Sequence, residues 1–167
     1  MKAMDRELYE LSEKLGAALK ARNLMMAAAE SCTGGWIGQA VTMVPGSSKW
    51  FDCGFVTYTN DAKQEMLGVS AKTLDAFGAV SEQTVREMAA GALARSRAQV
   101  AVAVSGIAGP DGGSRTKPVG TVLLAWAEKG GSVEARAVHF EGDRDAVRRK
   151  TVIAAIDGML VLLGRKA

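Results

Sequence analysis

The residues from Leu24 to Ala29 form an apolar run without interruption, and Gln99 to Val104 nearly repeats it. Such runs are far too short to cross a membrane. They are also too uniformly apolar for a strand with one wet face, so each calls for a strand covered on both sides. The cover is written nearby. Met4, Leu8, Leu11, Leu15, Ala18 and Leu19 recur at helical spacing and predict an amphipathic helix to about Arg22. Trp36, Ile37, Ala40, Val41 and Val44 predict a second helix that ends at Pro45-Gly46. Gly54 to Thr59, rich in β-branched and aromatic residues, reads as another strand. Asn60 or Asp61 is the expected cap of a short helix from Ala62 to Leu67, and Gly68 to Gly78 reads as a polar linker.

Farther on, Ser81 should cap a helix over Glu82 to Arg97. Thr121 to Ala127 and Val133 to Phe140 flank Gly130-Gly131 and predict an antiparallel hairpin, and Asp143 should cap a final helix to about Leu163. Helices alternating with buried strands imply an α/β fold: a single-domain layered sandwich over residues 1–167, with a mixed, mostly parallel sheet between helices. Ligands of such sheets gather at the carboxyl ends of strands, where Ser31, Tyr58 to Lys63 and Ser105 to Gly113 all fall.

Composition narrows the function classes. A net charge of +3 and no basic stripe interleaved with aromatics give no nucleic-acid footprint. Arg144, Arg148, Arg149 and Lys150 form the densest basic cluster, which could meet phosphate but reads first as a solvated helix face. Two cysteines, Cys32 and Cys53, and one histidine, His139, provide neither a disulfide framework nor a zinc ligand set. His139 lies in a strand-like run and reads as structural. The opening residues resemble no targeting sequence and no apolar run spans a membrane, so a cytoplasmic protein is expected.

The chemistry concentrates at Glu30-Ser31-Cys32-Thr33-Gly34-Gly35, a strand, a tight turn and a helix start. Small residues let the backbone approach a ligand, and amides at the helix start could face an oxyanion. A serine cap followed by glycines is the purely structural alternative. As a nucleophile, Ser31 needs a base. Lys63 can serve if burial or a nearby cation makes its amine neutral, with Tyr58, at the end of the preceding strand, in the proton path or bonded to the amine. Cys32 is the rival nucleophile, near the same helix start that would lower its pKa. The glycine-rich segment Ser105-Gly106-Ile107-Ala108-Gly109-Pro110-Asp111-Gly112-Gly113 matches neither phosphate-loop nor dinucleotide patterns. It suggests an array of backbone amides around an anion or, alternatively, a mobile surface connection.

Five segments in this order carry a resemblance: Glu30 to Gly35, Tyr58 to Lys63, Gly78-Ala79-Val80-Ser81, Ser105 to Gly113, and Lys117-Pro118-Val119-Gly120-Thr121. Together the chain resembles the CinA C-terminal domain family, the nicotinamide-nucleotide amidohydrolases, from about Leu8 to Leu163. The resemblance implies hydrolysis of the carboxamide of nicotinamide mononucleotide to nicotinate mononucleotide and ammonia, with no metal and no organic cofactor. It places the nucleophile on Ser31 and the lysine and tyrosine on Lys63 and Tyr58. Thr33, Gly34, Gly35, Asn60, Ser105, Gly106, Gly109, Gly112 and Gly113 are the expected substrate-binding positions, with oxyanion donors around Thr33 to Gly35. In many bacteria the domain follows a larger N-terminal one, which is not expected here. A homo-oligomer is expected, as symmetric assemblies are common; nucleic-acid and membrane partners are not. The alternatives are a cysteine hydrolase using Cys32, a non-catalytic nucleotide-binding or protein-interaction module, and a nucleic-acid-associated competence factor.

Overall fold

The computed structural model describes residues 5–165, so Met4 lies outside them. Helix α1 (Arg6–Ala21) begins where the Asp5 carboxylate accepts the Leu8 amide hydrogen. Strand β1 (Met26–Glu30) follows, then α2 (Trp36–Thr42), a single 3₁₀ turn (Ser47–Lys49) and β2 (Phe51–Val56). Next come α3 (Asn60–Leu67), α4 (Ala71–Phe77), α5 (Glu82–Ala94) and β3 (Val100–Gly106). Strands β4 (Thr121–Glu128) and β5 (Val133–His139) and helix α6 (Arg144–Gly164) complete the chain. One sheet orders the strands β2-β1-β3-β4-β5, with β1 parallel to both β2 and β3 and the last two pairings antiparallel. The fold is therefore the expected mixed α/β sandwich.

The sheet's faces are written in its strands. In β3, Val100, Val102 and Val104 face the core under α1, α2 and α6, while Ala101 and Ala103 face α5. The same split runs through β1 and β4, where Met26, Ala28, Leu124 and Trp126 oppose Ala27, Ala29, Ala125 and Ala127. One face thus takes large side chains and the other nearly bare alanines, against which a helix can lie close.

Four expectations need revision. The segment from Gly68 to Gly78 holds helix α4. Strand β2 starts and ends earlier than its β-branched residues suggest, leaving Thr57, Tyr58 and Thr59 as the loop into α3. Thr59, not Asn60 or Asp61, caps α3, its hydroxyl accepting from the Ala62 amide at 3.1 Å. The basic cluster is more than a solvated face: Arg144 and Lys150 are exposed, yet Arg144, Arg148, Arg149 and Lys150 each bond to a different part of the molecule. The expected caps Ser81 and Asp143 and the hairpin are in place.

Candidate active site

The chain leaves β1, β2 and β3 at one edge of the sheet, and there a pocket of about 270 Å³ opens. Ser31 and Cys32 line it from β1, Tyr58 and Lys63 from the β2–α3 connection. Ser105 to Gly109, Asp111 and Gly112 line it from the end of β3 and the loop beyond. Its volume is near the lower end of the ~300–1,000 Å³ usual for small-molecule sites.

Lys63 is the decisive residue. It sits one turn into α3, its side chain runs inward, and only 1 % of its surface is exposed. Its Nζ lies 3.0 Å from Ser31 Oγ, 2.7 Å from the Thr57 carbonyl oxygen and 3.5 Å from that of Tyr58. Among the described residues, no carboxylate bonds to it. Burial therefore pushes the amine below the ordinary lysine range, against a smaller opposing pull from Cys32. The two carbonyls can only accept hydrogen bonds. A neutral amine spends both N–H groups on them, and its lone pair is left for the Ser31 hydroxyl.

Burial acts on Cys32 as well, with the opposite shift. The residue is 5 % exposed, and burial foremost pushes its thiol pKa up to about 11 despite its place before a helix. The amides meant to lower it are engaged. Ile37 and Gly38 donate to the Glu30 carboxylate at 2.9 and 3.1 Å, and the Thr33 hydroxyl adds a third bond at 2.6 Å.

Of the expected oxyanion donors around Thr33 to Gly35, the Gly34 amide is occupied by Ser31 O, and beyond them the Trp36 amide donates to Thr33 O. Thr33, Gly34 and Gly35 line a separate hollow with Trp36 and Arg148, because the turn carries them past the pocket before α2 begins. Asn60 and Gly113 are not among the pocket's lining residues; Asn60 opens α3 and is exposed, and Gly113 packs beside Val119. Ser105, Gly106, Gly109 and Gly112 do line it. Among the described residues the amides of Ala108, Gly109, Asp111 and Gly112 donate to no protein acceptor.

Sequence reasoning left Arg144 in the basic cluster and outside the site. From the first turn of α6 its guanidinium donates to the Gly109 carbonyl at 2.7 Å and to Tyr58 Oη at 2.9 Å, across the pocket mouth. The Tyr58 hydroxyl thus meets Arg144, while Lys63 meets only the Tyr58 carbonyl. A signal was present: a cation in the first turn of a helix opposes the macrodipole, and such local violations collect at functional sites. Ala79 and Val80, just after α4, add an apolar wall; the sequence singled out their segment without giving it a place in the site. His139 faces the Val119 carbonyl at 2.9 Å. Among the described residues no three histidines, cysteines or carboxylates converge on a metal position.

Fold and site together define an α/β protein with a serine beneath a buried lysine in a small-molecule pocket. The chain belongs to the CinA C-terminal domain family, whose model matches residues 8–163. The nicotinamide-nucleotide amidohydrolase PncC of Enterobacter agglomerans is 55% identical over 156 residues, 93% of this chain and 95% of its own. Its namesake in Escherichia coli K12 is 56% identical over 152 residues, 91% of this chain and 92% of its own. Among solved structures, the competence/damage inducible protein CihA of Agrobacterium tumefaciens superposes with a TM-score of 0.93 at 48% identity. That match covers 98% of this chain and 99% of the other.

Proposed function

We propose that this protein hydrolyses the carboxamide of nicotinamide mononucleotide, releasing ammonia and nicotinate mononucleotide. The substrate comes from the relatives named nicotinamide-nucleotide amidohydrolase. The mechanism rests on one observation, a buried lysine amine 3.0 Å from a serine hydroxyl facing a pocket.

Neutral Lys63 takes the Ser31 proton as Oγ bonds to the amide carbon. The carbonyl oxygen becomes an oxyanion, held by free amides of the loop beyond β3. Collapse breaks the C–N bond, and Lys63 returns the proton to the departing nitrogen, which leaves as ammonia. Water then attacks the acyl-serine ester, Lys63 takes its proton, and Ser31 leaves protonated from the same amine. Arg144 exchanges the Tyr58 hydroxyl for a phosphate oxygen, and Ala79 and Val80 offer an apolar surface to the pyridine ring. Tyr58 acts here through Arg144 and at the pocket wall, beside its carbonyl's hold on Lys63.

Ammonia and nicotinate mononucleotide are measured after incubating wild type, Ser31→Ala and chelator-treated wild type with nicotinamide mononucleotide. Turnover that survives chelation and vanishes in Ser31→Ala is expected. A folded wild-type protein that binds the nucleotide without turnover would leave the non-catalytic module in its place.

A further inference from the structure

We propose that Arg148 is a positioning residue for Ser31, acting from α6 through the backbone of the turn. The inference rests on Ser31 being the nucleophile. Arg148 Nε donates to the Cys32 carbonyl at 3.1 Å and Nη2 donates to the Thr33 carbonyl at 3.1 Å. Its guanidinium lies 5.4 Å from the Trp36 ring centroid, and Nη1 is 3.5 Å from Asp145 Oδ1. The fork is therefore fixed on three sides, and its side chain is only 28% exposed.

Two opposite charges divide the polar groups of the turn. Glu30, 1% exposed, collects donors: the Thr33 hydroxyl and the amides of Ile37 and Gly38. Arg148 collects acceptors, the two carbonyls that directly follow Ser31. The Thr33–Gly34 peptide carries the second of these bonds onward, because the Gly34 amide donates to the Ser31 carbonyl at 3.0 Å. A chain of polarised bonds thus runs from the guanidinium to the nucleophile's own peptide. Gly34 and Gly35 both have positive φ, at 59° and 98°, so the turn's own backbone is built from residues with wide conformational freedom. With Arg148 absent, nothing from α6 holds the carbonyls of Cys32 and Thr33.

Lys63 reaches Ser31 through a single 3.0 Å contact, so a small drift of the turn separates nucleophile from base. Displacements of about 1 Å in such sites cost on the order of 100-fold in rate. Arg148 lines the hollow on the far side of the turn and is absent from the substrate pocket's wall, so its loss should not weaken substrate binding.

The test compares Arg148→Met, which keeps the stem over Trp36 and removes the donors, with Arg148→Lys, which keeps the charge and removes the fork. Steady-state turnover of nicotinamide mononucleotide is measured alongside the rate at which a small fluorophosphonate modifies Ser31. For Arg148→Met, kcat should fall about 10- to 100-fold with KM within about twofold of wild type. Fluorophosphonate labelling should slow in proportion, and Arg148→Lys should be intermediate. Parental kcat in folded Arg148→Met, or a loss confined to KM, overturns the proposal. Should Arg148→Met fail to fold, Arg148→Gln, which loses the charge and the fork, takes its place. It should lower kcat at constant KM, and an unchanged kcat there also overturns the proposal. Ser31→Ala, run in parallel, separates the two readings: activity in that variant removes the nucleophile itself, whereas its inactivity beside a fully active Arg148→Met removes only the role of Arg148.

Discussion

At the residue scale, the fold puts the Lys63 amine where a positive charge is costly. Lys63 is buried and has only neutral oxygens for company, so its proton is held less firmly than in water. As the proposed base Lys63 must be neutral, so kcat/KM should climb with pH through its pKa, below the ordinary lysine value of 10.5, and then level off. A flat profile across the neutral and alkaline range would remove Lys63 as the base. Lys63→Met, close in volume and uncharged, should lose about 100-fold or more in kcat. Its melting temperature should be no lower than that of wild type, since a costly buried amine is gone; a clear drop in a thermal melt would contradict this. Cys32, with its thiol pushed up to about 11, stays protonated near neutral pH. Cys32→Ala should therefore keep kcat within a few-fold of wild type, and inactivation of that variant would move the nucleophile to sulfur. Arg144→Ala should raise KM about tenfold or more, the usual scale for losing a hydrogen bond to a charged group. An unchanged KM would place the phosphate elsewhere.

At the element scale, α3 is the part that delivers Lys63, and α5 fixes α3. A Cβ at Gly91 in α5 would lie 2.0 Å from the Leu67 carbonyl oxygen at the end of α3. Backbone cannot step aside as a side-chain tip can, so Gly91→Ala should cost about 3 kcal/mol and reduce activity together with stability. Denaturant unfolding beside Gly164→Ala, where nothing lies within 4 Å, checks this; equal midpoints would refute the close approach. The elements were largely legible in the sequence. Ser81 and Asp143 read as caps because their side chains satisfy amides three residues on, a purely local event. Helix α4 was not legible: only Leu74 among its residues is buried, so periodicity had little to mark. Strand β2 was misplaced because Thr57 and Tyr58 have strand-like chemistry, while pairing with β1 ends at Val56.

At the scale of the whole molecule, α6 ties distant segments together. Arg149 bonds Asp5 at 2.7 and 3.0 Å and Glu7 at 2.6 Å, clasping the start of α1. The Arg149 side-chain bond foremost holds the Asp5 carboxyl below its ordinary value of 3.8. A lowered carboxyl pKa contributes stability above the unfolded value, and that contribution is lost as pH falls through the folded one. Arg149→Ala should therefore lower stability by up to about 1 kcal/mol at neutral pH, the scale of a partly exposed pair. The gap to wild type should close in acid, below about pH 4. A gap independent of pH would assign the loss to packing.

The sequence by itself determined the layered α/β architecture, the order of the elements and the three strand ends that carry the pocket. Hydrophobic period, capping chemistry and glycine positions act over a few residues, and so they can be read from a string. It also named Ser31, Lys63 and Tyr58, which the structure brings to one pocket. Only tertiary structure decided what each polar group is bonded to. The Glu30 carboxylate took the amides of Ile37 and Gly38 at the start of α2, and burial raised the thiol that a helix start should have lowered. The basic face of α6 became a set of separate bonds to the pocket loop, the serine turn and α1. Hydrogen bonding and desolvation depend on neighbours brought together from across the chain, and those partners exist only once it has folded.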